Sequence, residues 1–480
     1  MAGWPCLLLL GFLVLALPRS TACPQLPPCQ CFGNTTVFCS GKNLSGIPDE
    51  VLAHATQLFF VETSLDSLPC RAFARGGNGS RALSKLAFLD CPLRELSECA
   101  LAGLPHLQEL DIALSPLAGL PRGVLLGLDR LRRLAVRYSR LEALEEGLFD
   151  GTLGLEVLHL QGNRLAALPP QVLHPLTRLR SLSLSQNRLV ELPAEAFGPL
   201  RHLRELRLSN NFLTHLPPRL FRPLSELREL FLDGNGLAQL PGGLFAGLPQ
   251  LKRLHLQHNA LQHLEPPALS PALPSLAFLS LDGNQLAELP EGLFWGTPSL
   301  VELSLAHNWL RELPEGLFGN LSDLSVLCLS HNHLTGVAAG AFRGLPSLAR
   351  LQLSHNRLSL LPGAAFADLI SLEALDLAGN RLESLPEGIF NANEVLVSLA
   401  LGGNPWLCDC RLAPLADWLH SLDHPLSFRV FCQGPASLKG RTLLAARKER
   451  LLCPRQPGSP RCRREARGTS GESGALAQGT

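Results

Sequence analysis

One asparagine recurs along most of this chain at a nearly fixed interval, and it constrains the fold more than any other feature. The interval is 24 residues, with a single step of 25. Each copy has the frame L-x-x-L-x-L-x-x-N-x-L, usually followed by Leu-Pro and a phenylalanine. A unit this short cannot bury its own leucines, so it is stable only when neighbours stack against it. The recurring residues are Asn163, Asn187, Asn211, Asn235, Asn259, Asn284, Asn308, Asn332, Asn356, Asn380 and Asn404.

The frame resembles the leucine-rich-repeat signature and predicts an α/β-type solenoid shaped like a horseshoe. The L-x-L core of each copy predicts a short strand with leucines inward, each stabilising by about 1.5–3 kcal/mol when buried. Stacked strands then form a parallel sheet on the concave face, opposite a mostly irregular convex side. The asparagine side chain, with donors and an acceptor, is expected to bridge adjacent coils. Thr63, Cys91, Ser115 and Ser139 occupy its position in divergent copies, which gives about fourteen repeats over residues 54–404.

A phenylalanine recurs at one convex position of the repeat. Such a row predicts an internal aromatic spine rather than a ligand cage. The 25-residue copy has prolines and Leu269 at this position, so we expect a local irregularity of the convex side there. The row comprises Phe149, Phe197, Phe221, Phe245, Phe294, Phe318, Phe342, Phe366 and Phe390.

The N-terminus predicts secretion. Residues 1–22 have an apolar run from Leu7 to Leu17 and small residues before Cys23, as in a cleaved signal peptide; a lipoprotein signal is the alternative. The 42 basic and 41 acidic residues leave no global field for nucleic acid, and no later apolar run is long enough to span a membrane. Glycosylation sequons in keeping with an extracellular, plasma location stand at Asn34, Asn43, Asn78 and Asn320.

Cysteines cluster at both ends of the repeats, where a solenoid exposes its hydrophobic interior. We expect an N-terminal cap over residues 23–53, although four close cysteines also fit a zinc knuckle. A C-terminal cap over residues 405–454 includes a helix with apolar residues from Leu412 to Leu422. Residues 455–480, rich in Arg, Gly and Ser, predict a disordered basic tail. The cap cysteines are Cys23, Cys29, Cys31 and Cys39, then Cys408, Cys410, Cys432 and Cys453.

The remaining cysteines have separate interpretations. Cys70 and Cys99 follow the proline position of neighbouring copies, on coils expected to lie about 5 Å apart, and we predict that they pair. Cys91 is expected to be a buried structural thiol. Cys328 faces the concave side as a bystander thiol, with a covalent partner as the alternative, and Cys462 in the tail has no assigned partner.

The sequence contains no constellation that predicts catalysis or a bound cofactor. His106 and Glu109, like His202 and Glu205, have the His-x-x-Glu spacing of zinc carboxypeptidase ligands. The two pairs lie 96 residues apart, four repeats of 24, so the match follows from the repeat frame, and nothing supplies a third ligand. We therefore predict a protein that is not an enzyme and holds no metal.

The concave face is the candidate functional surface. The pattern places Phe231, Arg253, His255 and Phe278 close together on three adjacent coils, and exposed aromatic and arginine side chains are enriched at binding hot spots. A large surface also exposes some aromatic residues without function. Glu229, Asp233 and Asp282 are predicted to rim this cluster.

Several stretches resemble the family of the large, non-catalytic subunit of carboxypeptidase N. The likeness spans the chain from about Cys23 to Pro454, and only the conjunction of these stretches is specific. They are residues 60–64 (FVETS), 159–163 (HLQGN), 313–318 (LPEGLF), 404–406 (NPW), 408–410 (CDC), 434–436 (GPA) and 438–440 (LKG).

The resemblance implies a secreted subunit that binds and stabilises a zinc carboxypeptidase, in a hetero-oligomer without nucleic acid or membrane. That enzyme removes C-terminal Arg or Lys from peptides such as kinins and anaphylatoxins, and it alone would carry zinc. Members of this family continue beyond the C-terminal cap, whereas this chain ends in an Arg-rich tail. The alternative is an extracellular or matrix-type leucine-rich-repeat protein that binds another ligand.

Overall fold

The computed structural model describes residues 28–33, 35–52, 55–73, 82–269, 273–421, 430–445 and 451. The predicted leader, Cys23, Cys453, the sequons at Asn34 and Asn78, and the tail with Cys462 lie outside these residues. The strands are β1 (Cys29–Phe32), β2 (Thr36–Gly41), β3 (Gln57–Thr63), β4 (Ser67–Leu68), β5 (Lys85–Leu89), β6 (Glu95–Leu96), β7 (Glu109–Ala113), β8 (Arg133–Arg137), β9 (Val157–His159), β10 (Ser181–Ser183), β11 (Glu205–Arg207), β12 (Glu229–Phe231), β13 (Arg253–His255), β14 (Phe278–Ser280), β15 (Glu302–Ser304), β16 (Val326–Cys328), β17 (Arg350–Gln352), β18 (Ala374–Asp376) and β19 (Ser398–Ala400).

These strands form one 17-stranded sheet, which β4 and β6 do not join because they pair with each other. The hairpin β1–β2 is antiparallel, and every later pair in the large sheet is parallel. Each residue pairs with the residue one repeat later, as Leu230 does with Leu254. From β9 onwards, the central leucine of every strand is buried in a single continuous core. The predicted horseshoe solenoid is confirmed.

The recurring asparagines join the coils by hydrogen bonds. In one coil, the Oδ1 atom of Asn308 accepts from the backbone N–H of Leu286 at 3.1 Å. Its Nδ2 atom donates to the carbonyl of Leu281, in the preceding coil, at 2.9 Å, and to the carbonyl of Leu305, in its own coil, at 3.1 Å. Asn308 is 2% exposed, and the same bonds recur from Asn163 to Asn404. The side chain therefore satisfies backbone groups that a buried turn would otherwise leave unpaired.

The N-terminal coils lack this asparagine and have longer strands instead. The hydroxyls of Ser115 and Ser139 donate to carbonyls of their own coil, two residues back, and do not bridge to the coil before. The strands β5, β7 and β8 have five residues each, whereas β9 and all later strands have three. Two further residues of backbone pairing per strand thus hold the divergent coils together.

The convex phenylalanines form the predicted spine. The rings of Phe197, Phe221 and Phe245 are stacked, with centroids 6.2 and 6.4 Å apart. At the C-terminal end the spine continues from Phe390 onto Trp418 of the cap, at 4.9 Å. In the 25-residue copy, Leu269 is buried in the phenylalanine position at the end of a short helix, α2 (Pro266–Leu269). The predicted convex irregularity is this helix.

Disulfides lie at both ends of the solenoid. Cys29 pairs with Cys39 across the β1–β2 hairpin, and Cys408 pairs with Cys432. A short helix, α1 (Asp49–Leu52), follows the hairpin. Cys31 and Cys410 are also disulfide-bonded. In the N-terminal cap, the sulfurs of Cys29, Cys31 and Cys39 are therefore not free to bind zinc as thiolates, which excludes a zinc knuckle there. The predicted cap helix is present as α3 (Ala413–Ser421), between 3-10 helices at Cys410–Leu412 and Leu443–Ala445.

The other cysteine predictions can be compared with the described coils. Cys70 and Cys99 form the predicted disulfide. The buried thiol of Cys91 lies 3.2 Å from the hydroxyl of Thr63 and donates to the carbonyl of Phe60 at 3.5 Å. Cys328 is a free, half-buried thiol of β16. Among the described helices, none combines the length and apolarity that crossing a bilayer requires.

We predict that Asn308→Ala will destabilise the solenoid by about 2–4 kcal/mol, because several buried backbone groups lose their partner at once. The measurement is the urea midpoint of the chain, followed by circular dichroism. Asn391→Ala is the matched control, since Asn391 is exposed on the convex side. Equal midpoints for the two variants would contradict the role assigned to the ladder.

Candidate protein-binding surface

The concave face is built from side chains that flank the inward leucine of each strand. Parallel pairing in constant register places equivalent residues of successive coils in rows. In one row Arg207 pairs with Phe231, which pairs with His255. In the next row Arg253 pairs with Phe278. Residues one repeat apart in sequence therefore become lateral neighbours.

The predicted cluster is a continuous stack of rings. The ring centroids of Phe231 and His255 lie 4.4 Å apart and nearly parallel, and those of His255 and Phe278 lie 4.8 Å apart and tilted by 35°. The guanidinium of Arg253 lies 6.0 Å from the Phe278 ring, and that of Arg207 lies 4.3 Å from the Phe231 ring. We call these five residues the aromatic stack.

Arg207 was not predicted as a member of the cluster. It lies one coil before Phe231, and its register with Phe231 was the available signal. A guanidinium at 4.3 Å from the ring centroid makes a favourable cation–π contact. The stack therefore spans four coils, with Arg207 at its first end and Arg253 beside Phe278.

The carboxylates near the stack have two different roles. Glu205 accepts a hydrogen bond from Arg207 at 2.6 Å, and Glu229 lies 4.0 Å from Arg253, so both partly neutralise the arginines. Asp233 accepts from the hydroxyl of Ser209 at 2.6 Å. Asp282 accepts hydrogen bonds from the backbone N–H of Ala306 at 2.9 Å and from the Ser304 hydroxyl, both in the following coil. Asp282 is thus a structural contact between coils.

His255 is held in its neutral form. Burial lowers its pKa below the usual value, Arg253 and Arg207 lower it further, and Asp233 partly opposes them. Its Nε2 atom is buried without a hydrogen-bond partner among the described residues, so an added proton there would be unsatisfied. A neutral imidazole between two phenylalanines makes the centre of the stack apolar.

Several concave positions are less exposed than the strand pattern predicts. The rule that both residues beside an inward leucine face solvent holds for the large side chains. It is wrong for six of the small ones, which are buried. The buried members of the face are Ser183, Ser209, Ser280, Ala306, Ser330 and Ser354.

The two His-x-x-Glu spacings do not form a site. Nδ1 of His202 lies 2.8 Å from Glu226, one repeat later, whereas Glu205 contacts Ser181 and Arg207. Glu109 forms an ion pair with Lys85 at 2.8 Å. Within the described ranges, no three His, Cys, Asp or Glu side chains are grouped so that they could hold a metal ion.

We predict that acidification will destabilise the stack. The folded protein protonates His255 less readily than the unfolded chain does, so the free energy of unfolding falls as the pH drops through about 6.5. His255→Gln should reduce the loss of thermal midpoint between pH 7.5 and 5.0, whereas His215→Gln, at an exposed position, should not. Identical losses for both variants and the parent would contradict this assignment.

Comparison with known proteins matches the repeat architecture. A sequence profile described as leucine rich repeat matches residues 129–189, 177–237, 227–286, 298–358 and 346–405. Carboxypeptidase N subunit 2 of Homo sapiens is 48% identical over 63 residues, which are 13% of this chain and 12% of that protein. The Mus musculus protein of the same name is 46% identical over 67 residues, 14% of this chain and 12% of that protein. Platelet glycoprotein Ib beta chain of Homo sapiens is 41% identical over 63 residues, 13% of this chain and 30% of that protein.

Solved structures share the solenoid over most of the chain. The glycosylated Toll–Spatzle complex of Drosophila superposes with a TM-score of 0.68 at 25% identity, over 85% of this chain and 63% of that chain. A leucine-rich-repeat protein of Leptospira interrogans superposes with a TM-score of 0.61 at 24% identity, over 81% of this chain and 93% of that chain, and shows the fold alone. Because the profile matches cover more than half of the sequence, this chain belongs to the leucine-rich-repeat family.

Proposed function

We propose that the protein is a secreted, non-catalytic subunit that binds a zinc carboxypeptidase through its concave face and stabilises it. The partner would remove C-terminal Arg or Lys from peptides, and zinc and catalysis would belong to it. Two observations support this proposal: the chain belongs to the leucine-rich-repeat family, and part of it is similar to carboxypeptidase N subunit 2. The matched segments span only 12% of those relatives, so the partner and the secretion belong to the proposal.

The aromatic stack is the observation that carries the binding role. It places two phenylalanines and a neutral histidine on an open concave sheet, with the guanidinium groups of Arg207 and Arg253 against the phenylalanine rings. A few residues near the centre of a protein interface supply most of its binding free energy, and arginine and aromatic residues are enriched at such interfaces. Because Glu205 and Glu229 already contact the arginines, little uncompensated charge would be buried on docking.

The sequons within the described residues leave this face open. Asn43 is exposed before the first repeat. The exposed side chain of Asn320 donates to the carbonyl of Trp295 at 3.1 Å, on the segment that follows the convex phenylalanine. Neither residue belongs to a concave strand, so a glycan at either position would leave the stack accessible.

A second candidate function is binding of another extracellular ligand by a matrix-type leucine-rich-repeat protein. The match to platelet glycoprotein Ib beta chain covers as much of this chain as the match to human carboxypeptidase N subunit 2, 13% in both cases. Affinity purification of the secreted, tagged chain from plasma separates the two candidates. Co-purification of a zinc carboxypeptidase supports the first, and recovery of a matrix component in its place supports the second.

Surface plasmon resonance with the purified catalytic subunit of carboxypeptidase N tests the partner directly. We expect saturable binding and a slower thermal inactivation of the peptidase in the complex. Absence of binding at micromolar concentrations would overturn the partner assignment.

We predict that Phe231→Ala combined with Phe278→Ala will weaken this binding at least tenfold, because the centre of the contact loses its apolar surface. The matched control is Phe212→Ala, which removes a phenylalanine that is 61% exposed outside the concave strands. The thermal midpoints of the variants show whether each one folds. If the parent chain binds and the double variant binds with the same affinity, the docking surface lies elsewhere.

A further inference from the structure

A second row of stacked rings lies outside the aromatic stack and is formed by three histidines of consecutive coils. The ring centroids of His307 and His331 are 4.2 Å apart, and those of His331 and His355 are 4.4 Å apart. The interplanar angles are 9° and 13°, so the imidazoles are nearly parallel. We call these three residues the histidine column.

The ladder asparagines hold the column in place. Each histidine directly precedes a buried asparagine and has a left-handed backbone, with φ of 53°, 57° and 54° along the column. This conformation directs each ring over the following coil. The last ring lies over Gly379, where a Cβ atom would be only 2.7 Å from Nδ1 of His355, so a side chain there would displace the column. All three histidines are exposed.

A parallel row of residues adds basic groups beside the column. Two residues beyond the column position, on the other side of each asparagine, the successive coils carry Trp309, His333, Arg357 and Arg381. The backbone N–H of each of these four residues donates to the preceding coil in the same register, which keeps them in line. Neither arginine forms an ion pair within the described ranges of the chain.

The central histidine of the column resists protonation. Burial lowers the pKa of His331, neighbouring His307 and His355 lower it further, and Asp376 opposes them. These are the charged groups whose fields act on the central ring. Arg357 and Arg381 carry the fixed positive charge of this edge. Histidine is the side chain that ordinarily gains a proton in mild acid, and a proton on the column would add to the charge of the arginines.

We propose that the histidine column, with Arg357 and Arg381, is a binding site for a sulfated polysaccharide chain that is occupied in mildly acidic surroundings. The argument is charge complementarity between two linear arrays: a cationic row of regular pitch and a polymer with fixed negative charges along its length. Bound sulfates would favour the protonated imidazoles, so binding takes up protons. This inference does not depend on the carboxypeptidase partner or on the aromatic stack.

The test uses a fluorescently labelled heparin oligosaccharide and the full chain, with fluorescence polarisation at pH 7.4 and 5.5 and equal ionic strength. We expect at least a tenfold higher affinity at pH 5.5. The variant with His307→Gln, His331→Gln and His355→Gln should lose this pH dependence. The matched control carries His202→Gln, His215→Gln and His263→Gln, removes the same number of exposed histidines elsewhere, and should retain it. Arg357→Ala with Arg381→Ala should weaken binding at both pH values.

A second readout separates the site from simple loss of folding. Because His331 has a lowered pKa, the column should destabilise the folded chain in acid, and its removal should raise the thermal midpoint at pH 5.5 but not at pH 7.4. Equal heparin affinity at the two pH values, or unchanged pH dependence in the column variant, would overturn the proposal. Tighter binding of a single-stranded RNA of matched charge would overturn the assignment to a polysaccharide.

Discussion

The hydrogen bonds of one buried amide side chain set the geometry on which the rest of this protein depends. Each ladder asparagine accepts from a backbone N–H of the preceding coil and donates to carbonyls of both coils. Such a side chain cannot shift by one residue without leaving buried backbone groups unpaired. The coils are therefore locked in a single lateral register, and every position of the repeat becomes a straight row of side chains along the solenoid.

The N-terminal coils show that this constraint can be met in another way. Ser115 and Ser139 are too short to reach the preceding coil, and there the strands lengthen from three residues to five. Side-chain bridging and backbone pairing are thus alternative means of joining neighbours. At Cys91 both are present, because its thiol contacts Thr63 in the adjacent coil and its coil also has a five-residue strand, β5.

Rows also explain how candidate binding surfaces can arise on a solenoid. The aromatic stack and the histidine column are each built from residues about one repeat apart, at positions where the fold itself requires no particular side chain. The phenylalanine spine uses the same stacking inside the molecule, where it supports the fold. Each surface row contains one histidine with a lowered pKa, so the central imidazole of each row resists protonation.

The sequence by itself determined the solenoid, the inward leucines, the asparagine ladder and the spine, because a fixed period places each of these in a row. It also determined the Cys70–Cys99 pair, because both residues follow the proline position of neighbouring coils. Only the tertiary structure decided which neighbours within the rows touch. Arg207 lies over Phe231, Asp282 turns to Ala306, and His202 pairs with Glu226 rather than with Glu205. These contacts depend on rotamers and on the height of adjacent side chains, which no period encodes. The histidine column needed the left-handed backbone as well, since that conformation directs each ring over the following coil.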